Sequence, residues 1–184
     1  MEAADRELVE QLGVPHRAGA AYRGLLSRGR DALPAVRDGL RHGSADVRYH
    51  CCRFLDRFLE PETMGDLIAM LGDADHRVRV AVLHSLACDR CKDGACRPEE
   101  EAVLPRAMAL LAGDPDPHVR AMAIEVVGGW MHSNPAAAAS LRTAQQADTS
   151  ATVRKKAGWY APGGAIHRRS AARLDASRRR QATA

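Results

Sequence analysis

The chain has 184 residues, which is enough for one ordinary domain with a sizeable core. Apolar residues make up 46% and aromatic residues only 4%, a composition that suits a helical protein better than an all-β one. No apolar run reaches the roughly 18 residues that a membrane helix needs, and the acidic start, residues 1–6, is followed by no apolar signal segment. We therefore expect a cytoplasmic, mostly α-helical protein that does not enter a membrane.

Positive charge is concentrated at the C-terminal end of the chain. The whole chain carries 27 basic and 23 acidic side chains, and 24 of the basic ones are arginine. Residues 154–184 hold nine basic side chains against one acid, Asp175, whereas residues 1–153 hold 18 basic and 22 acidic ones. The charge pattern therefore indicates a mildly acidic body over residues 1–153. We predict a repeat domain over residues 1–164 and a basic, disordered tail over residues 165–184.

The predicted helices follow one another in pairs. The first pair covers about residues 4–12 and 17–27. The first helices of the later pairs are predicted at 32–40, 63–71, 102–111 and 136–145, and each ends in a short polar or glycine-containing turn. A second helix is predicted after each of these turns.

The start of each second helix carries the same theme, Ser or Asp three residues before a Val-Arg pair. It occurs at residues 44–48, 75–79, 116–120 and 150–154, with the valines 31, 41 and 34 residues apart. Once an extra loop in the long interval is set aside, this is the period of one helix–turn–helix repeat. We interpret the Ser or Asp as the helix N-cap. The valine opens an apolar stripe at helical spacing, as in Val78, Val82, Leu83 and Leu86 and in Val119, Ala123, Ile124 and Val127.

These motifs resemble the short HEAT-like repeats of the phycobilisome-lyase type within the HEAT-repeat family, over about residues 30–160. The best matches are Asp75, Val78 and Arg79 and then Asp116, Val119 and Arg120. The resemblance implies an all-α fold, a right-handed α-solenoid (HEAT/armadillo-like superhelix) of about five helix pairs, whose second helices line the concave face. It also implies that the motif Asp and the motif Arg form a structural ladder between repeats, so that the motif arginines belong to the scaffold: Arg48, Arg79, Arg120 and Arg154.

The long interval between repeats contains a Cys-rich loop insertion. His84 and Cys88 are one helical turn apart, Cys91 follows three residues later, and Gly94 allows the chain to return with Cys96. Three thiolates and one imidazole suit one structural zinc ion in a tetrahedral site, more than an iron–sulfur cluster. The alternative is a metal-free loop with reduced cysteines, or a Cys88–Cys91 redox pair. Cys51 and Cys52 are interpreted as buried apolar side chains.

Aromatic and basic residues meet where the last repeat ends. Such residues could contact phosphates and stack on bases, and the candidates are Arg154, Lys155, Lys156, Trp159, Tyr160, Arg168 and Arg169. The alternative is that Trp159 and Tyr160 close the end of the solenoid while the tail stays solvated.

The sequence favours a non-catalytic adaptor or scaffold that binds a protein partner through the concave face. An elongated repeat surface suits a macromolecular partner better than a small substrate. The alternative function is binding of nucleic acid or a ribonucleoprotein through the basic C-terminal segment. An enzyme of the lyase or isomerase type comes third, because no acid, base or nucleophile motif stands out.

Overall fold

The computed structural model describes residues 2–87 and 98–182, and within these ranges it contains helices and turns but no strand. The α-helices, in chain order, are α1 Glu2–Gln11, α2 Pro15–Arg28, α3 Leu33–Gly39, α4 Ala45–Arg57, α5 Pro61–Ala69, α6 His76–Ala87, α7 Glu100–Gly113, α8 Pro117–Gly128, α9 Pro135–Ala147, α10 Ala151–Tyr160 and α11 Ala165–Ala182. Short 3-10 turns precede α3 and follow α5. The chain divides into two compact units, residues 1–99 and residues 100–184.

The N-terminal unit is built from helices that pack against their neighbours in the sequence and in the next pair. Helix α1 packs on α2 and α3, and the second helices α4 and α6 pack side by side. Its core consists of fully enclosed side chains, each less than 2% exposed: Leu12, Leu25, Val36, Val47, Phe54, Leu55, Leu67, Val82 and Leu83.

The C-terminal unit repeats this arrangement. Helix α7 packs on α8, α9 packs on α10, and the second helices α8 and α10 contact each other. The predicted apolar stripe is confirmed, because Val119, Ala123, Ile124 and Val127 are all completely buried. The five predicted helix pairs are therefore present as α1/α2, α3/α4, α5/α6, α7/α8 and α9/α10.

The four N-cap positions lie where the sequence predicts them, but only the aspartates cap with their side chains. Asp75 Oδ1 accepts a hydrogen bond from the Arg77 backbone N–H at 2.8 Å, and Asp116 Oδ1 accepts one from the His118 N–H at 2.7 Å. Ser44 and Ser150 have the extended backbone of an N-cap without a side-chain cap bond. The Ser150 backbone N–H donates a hydrogen bond to the carboxylate of Asp148.

The basic tail differs from the expectation of disorder, because residues 165–182 form the helix α11. Alanine and arginine, which dominate the segment, have high helix propensity. The start of α11 is also anchored to its own unit. The His132 and His167 rings lie 4.3 Å apart, and Ser170 Oγ is 2.8 Å from His132 Nε2. Both the composition of this segment and its side-chain contacts therefore favour a helix.

Among the helices of the described ranges, none combines the length and the apolar character needed to cross a lipid bilayer.

Candidate functional site

Each motif arginine donates hydrogen bonds to the backbone of the turn that precedes its own helix. Arg48 Nη1 donates to the carbonyls of residues 42 and 43, Arg79 Nη1 to those of 73 and 74, Arg120 Nη1 to those of 114 and 115, and Arg154 Nη1 to those of 148 and 149. The same two carbonyls, five and six residues upstream, are used each time. This shared geometry assigns the four arginines a structural role in the repeat.

Within each unit, one motif arginine also reaches the turn of the following repeat. Arg48 binds both carboxylate oxygens of Asp73 at 2.7 and 2.9 Å, and Arg120 binds both of Asp148 at 2.8 and 2.9 Å. The carboxylates are nearly enclosed, with 5% and 6% of their side-chain surfaces exposed. The Arg120 hydrogen bonds hold the pKa of Asp148 below its ordinary value. These contacts form the inter-repeat ladder that the resemblance implies.

The carboxylates of this ladder are residues that the sequence analysis missed. The partners are Asp73 and Asp148, which stand two residues before the caps, and not the cap aspartates themselves. Each also accepts the backbone N–H of the cap residue, at 2.8 Å from Asp75 and 2.7 Å from Ser150. A signal was present, since Asp stands six residues before the motif arginine in three of the four repeats.

The two cysteines of helix α4 are completely buried and free, as the sequence predicts. Burial raises the pKa of the Cys51 thiol to about 12 and raises that of Cys52 as well. Both side chains therefore remain protonated thiols at neutral pH and belong to the core.

The predicted zinc ligands are only partly within the described structure. Cys88, Cys91 and Cys96 lie outside the described residues. His84 lies on α6 with about half of its side chain exposed, and its Nε2 is 3.7 Å from Asp56 Oδ2. The described ranges contain no group of three or more metal-ligating side chains. The zinc site therefore stays a prediction.

Several residues proposed to contact nucleic acid are engaged in internal contacts. Arg154 binds the preceding turn, and Lys156 Nζ lies 2.5 Å from Glu125 Oε1. Tyr160 packs against Gly128, where an added Cβ would lie 2.3 Å from its ring. Arg168 Nη1 donates to the Gly163 carbonyl.

The rest of this basic and aromatic set faces solvent. Lys155 Nζ lies 6.0 Å from the centre of the Trp159 ring, and 44% of Trp159 is exposed. Arg169 is also exposed. The structure therefore divides the predicted contact set into a structural part and a solvent-facing part.

The face of the second helices in the N-terminal unit carries an aromatic and basic group that we call the Tyr–Arg cluster: Tyr22, Tyr49, His50 and Arg53. The Arg53 guanidinium carbon lies 5.0 Å from the centre of the Tyr22 ring and 5.7 Å from that of Tyr49. The His50 ring packs on both tyrosines, with centroid distances of 5.6 and 5.2 Å. One helix, α4, supplies three of the four residues, and α2 supplies Tyr22.

Arg53 differs from most arginines of the N-terminal unit in its polar contacts, a feature that it shares with Arg17 and Arg23 in the described structure. Carboxylates bind Arg28, Arg37, Arg41, Arg48 and Arg77. The Arg53 guanidinium makes two cation–π contacts but no hydrogen bond or ion pair with the described residues. Because arginine has five N–H donors and remains charged, such a group is ready to bind an external acceptor.

Two buried polar atoms lie beneath this surface without a partner in the described part of the chain. They are His50 Nδ1 and Asp56 Oδ1. Burial, together with the nearby positive charge of Arg53, lowers the pKa of His50, which is therefore neutral at pH 7. Buried polar atoms of this kind are usually hydrogen-bonded to ordered water. The interior next to the Tyr–Arg cluster therefore contains polar atoms as well as apolar ones.

The sequence analysis did not identify the Tyr–Arg cluster, although the spacing of two of its residues along one helix was visible in the sequence. Tyr49 and Arg53 are four residues apart, which places them on one face of α4. Tyr22 comes from the preceding helix pair, and only the packing of α2 on α4 brings it to Arg53.

Comparisons with known proteins connect the chain to repeat proteins by structure alone. No family model matches the sequence, and none of the curated proteins matches it either. The complex of CpcE and CpcF of phycocyanin lyase from Nostoc sp. PCC7120 is similar, with a TM-score of 0.65 and 21% identity over 84% of this chain and 96% of that chain. A designed armadillo repeat protein in complex with the peptide (KR)4 has a TM-score of 0.55 and 18% identity, over 84% and 79%.

Both comparisons concern chains of low sequence identity and therefore inform the fold. They agree with the helix pairs described above. The chain accordingly has the all-α repeat fold of HEAT and armadillo-like solenoid proteins.

Proposed function

We propose that this protein is a non-catalytic adaptor that binds another protein through the face of its second helices, with the Tyr–Arg cluster as an anchor. The observation that carries the proposal is the position of Arg53, whose guanidinium lies over two tyrosine rings without a hydrogen bond or ion pair in the described structure. Tyrosine and arginine dominate the energetics of protein interfaces, because they offer large contact areas and directional donors.

The repeat architecture supports the same proposal. Stacked helix pairs present a long surface formed by many side chains, which suits a macromolecular partner. Two solved structures with a similar fold are complexes, one between CpcE and CpcF and the other with a peptide. An adaptor role for the present chain is consistent with these assemblies.

Site-specific photo-cross-linking in cells tests this proposal. A photoreactive amino acid at Tyr49 places the probe in the Tyr–Arg cluster, and one at Glu62 places it at an exposed position on the first helix α5. We expect a discrete adduct with one protein from position 49 and none from position 62. Adding Arg53→Ala to the position-49 variant should abolish the adduct. Equal labelling from both positions would contradict the proposal.

Nucleic-acid binding by the C-terminal helix is a second candidate, favoured by the exposure of Arg169, Arg173 and Arg180 on α11 and of Trp159 on α10. If a single-stranded oligonucleotide binds there, its affinity should fall steeply with salt, with a log–log slope of about −0.7 for each phosphate contacted. Truncation after residue 164 should abolish the binding. Binding that is insensitive to salt or survives this truncation would exclude the helix as the site.

A further inference from the structure

We infer that Arg154, the last motif arginine, binds an aspartate-bearing turn of an acidic protein partner and so extends the arginine–aspartate ladder beyond this chain. The inference goes beyond the function proposed above, because it assigns a second docking point, in the C-terminal unit instead of the Tyr–Arg cluster. It is carried by the geometry that the motif arginines share and by the charge of the segment around Arg154.

A complete ladder position uses two edges of the motif guanidinium. In Arg48 and Arg120, Nη1 donates to the two turn carbonyls, whereas Nε and Nη2 bind the two oxygens of one aspartate at distances between 2.7 and 2.9 Å. That aspartate, Asp73 or Asp148, stands two residues before the N-cap of the next second helix and also accepts the backbone N–H of the cap residue. Both the donor and the acceptor are therefore held in place by the backbone.

Arg154 has the first half of this arrangement without the second half in the described structure. Its Nη1 donates to the carbonyls of residues 148 and 149 at 2.6 and 3.1 Å, as in the other motif arginines. Its Nε and Nη2 meet no acceptor among the described residues, and the residue is partly exposed. The exposed Arg17 and Arg23 also lack a carboxylate, but no hydrogen bond within the described ranges holds their guanidinium groups. A fork held by the backbone loses less conformational entropy when it binds a carboxylate in bidentate fashion.

The helix that follows Arg154 explains why this chain does not complete the ladder there. The earlier first helices α5, α7 and α9 end in turns that contain an aspartate. In contrast, α11 continues from Ala165 to Ala182 as one helix, and its single acid, Asp175, lies exposed within it. Asp175 makes no ion pair in the described part of the chain. The carboxylate for Arg154 must therefore come from another molecule.

The charge and exposure of this end of the chain select an acidic protein as the partner. Residues 154–184 carry nine basic side chains against one acid, which attracts an acidic surface over long range. The large apolar side chains that the described ranges leave exposed, Trp159 and Leu174, lie on α10 and α11 and offer apolar contact area. An aspartate is favoured over a phosphate, because both completed forks of the same geometry hold an aspartate.

A second copy of this chain does not supply the required aspartate. Its aspartates two residues before a cap are all enclosed in their own turns: Asp73, Asp114 and Asp148. The corresponding position before α4 is His42, whose Nδ1 accepts the cap N–H in place of a carboxylate, and the one before α2 is Leu12. The occupant is therefore a turn of a different protein, with an aspartate two residues before the N-cap of a helix.

The test uses the full chain labelled with ¹⁵N and a blocked peptide that copies residues 61–80. This peptide carries four acids and two arginines, and outside its own fold it offers an unpaired Asp73 two residues before a cap. A second peptide with Asp73→Asn removes only the ladder carboxylate. The arginine Nε–Hε signals are recorded by NMR, the Arg154 signal is identified by its loss in Arg154→Lys, and the backbone amide signals of α10 give the affinities of the variants. Arg173→Gln, at an exposed position on α11, is the matched control.

We expect the aspartate peptide to shift the Arg154 signal and to bind about tenfold more tightly than the asparagine peptide. Arg154→Gln should remove that difference, and Arg173→Gln should preserve it. Arg154→Lys should also remove it, because lysine keeps the charge without the planar fork, and this variant retains the test if Arg154→Gln unfolds the unit.

Equal affinity of the two peptides, an affinity difference that persists in Arg154→Gln or Arg154→Lys, or no shift of the Arg154 signal would overturn the inference. A single-stranded decathymidylate that shifts the Arg154 signal at lower concentration than the aspartate peptide would overturn it as well, since the fork would then be a phosphate site. The cross-link from position 49 scores the adaptor function separately, because it concerns the other unit.

Discussion

The ladder carboxylate Asp73 gives the sharpest test of what holds the repeats together. In the variant Asp73→Ala, Arg48 loses two hydrogen bonds of 2.7 and 2.9 Å, and the Asp75 N–H loses its acceptor at 2.8 Å. Breaking one side of a buried ion pair costs about 3–5 kcal/mol, because the remaining charge is left uncompensated. Arg48 keeps its two backbone carbonyl bonds, at 2.9 and 3.1 Å. We therefore expect the low end of this range, about 3 kcal/mol.

The matched control is Asp66→Ala in the same unit. Asp66 also binds two arginines, Arg37 and Arg41, but 42% and 69% of their side-chain surfaces are exposed. Its loss should cost at most about 1 kcal/mol. Urea unfolding followed by circular dichroism gives both free energies, and hydrogen exchange across α4 identifies the unit that unfolds. Equal losses in the two variants would refute the argument that burial strengthens the ladder.

Three further predictions concern the core and the pH dependence. Gly128→Ala should destabilise the C-terminal unit by about 1–3 kcal/mol, because the added Cβ would lie 2.3 Å from the Tyr160 ring. Urea unfolding measures this loss of free energy, which should be smaller when Tyr160→Ala is also present. The pKa of Asp148 is lower in the folded chain than in the unfolded chain, so its carboxylate stabilises the folded state fully above the ordinary pKa of 3.8 and loses this effect as the pH falls through the folded pKa. In Asp148→Asn, the free energy of unfolding should therefore fall less as the pH is lowered. Cys51 and Cys52 should resist alkylation at pH 8 in the native protein, as peptide mapping would show, because both are buried and the pKa of Cys51 is about 12.

The helix pairs could be predicted from sequence because their determinants are local. The caps Asp75 and Asp116 accept hydrogen bonds from backbone N–H groups two residues away. The buried apolar residues from Val119 to Val127 recur with the period of an α-helix. The interpretation of Arg120 as a scaffold residue depends on the same kind of signal, since its repeat spacing is visible in the sequence. Its carboxylate partner Asp148 was missed, because the pairing joins two successive repeats.

The candidate site and the C-terminal segment were decided by tertiary structure. Arg53 lies over Tyr22 only because α2 packs against α4, and neither residue stands out in its own helix. The tail has the charge typical of a disordered segment, yet it is helical and begins with His167 packed against His132. Local propensity and capping therefore determined the repeats from sequence alone, whereas contacts between residues distant in the chain assembled the Tyr–Arg cluster and fixed the start of α11.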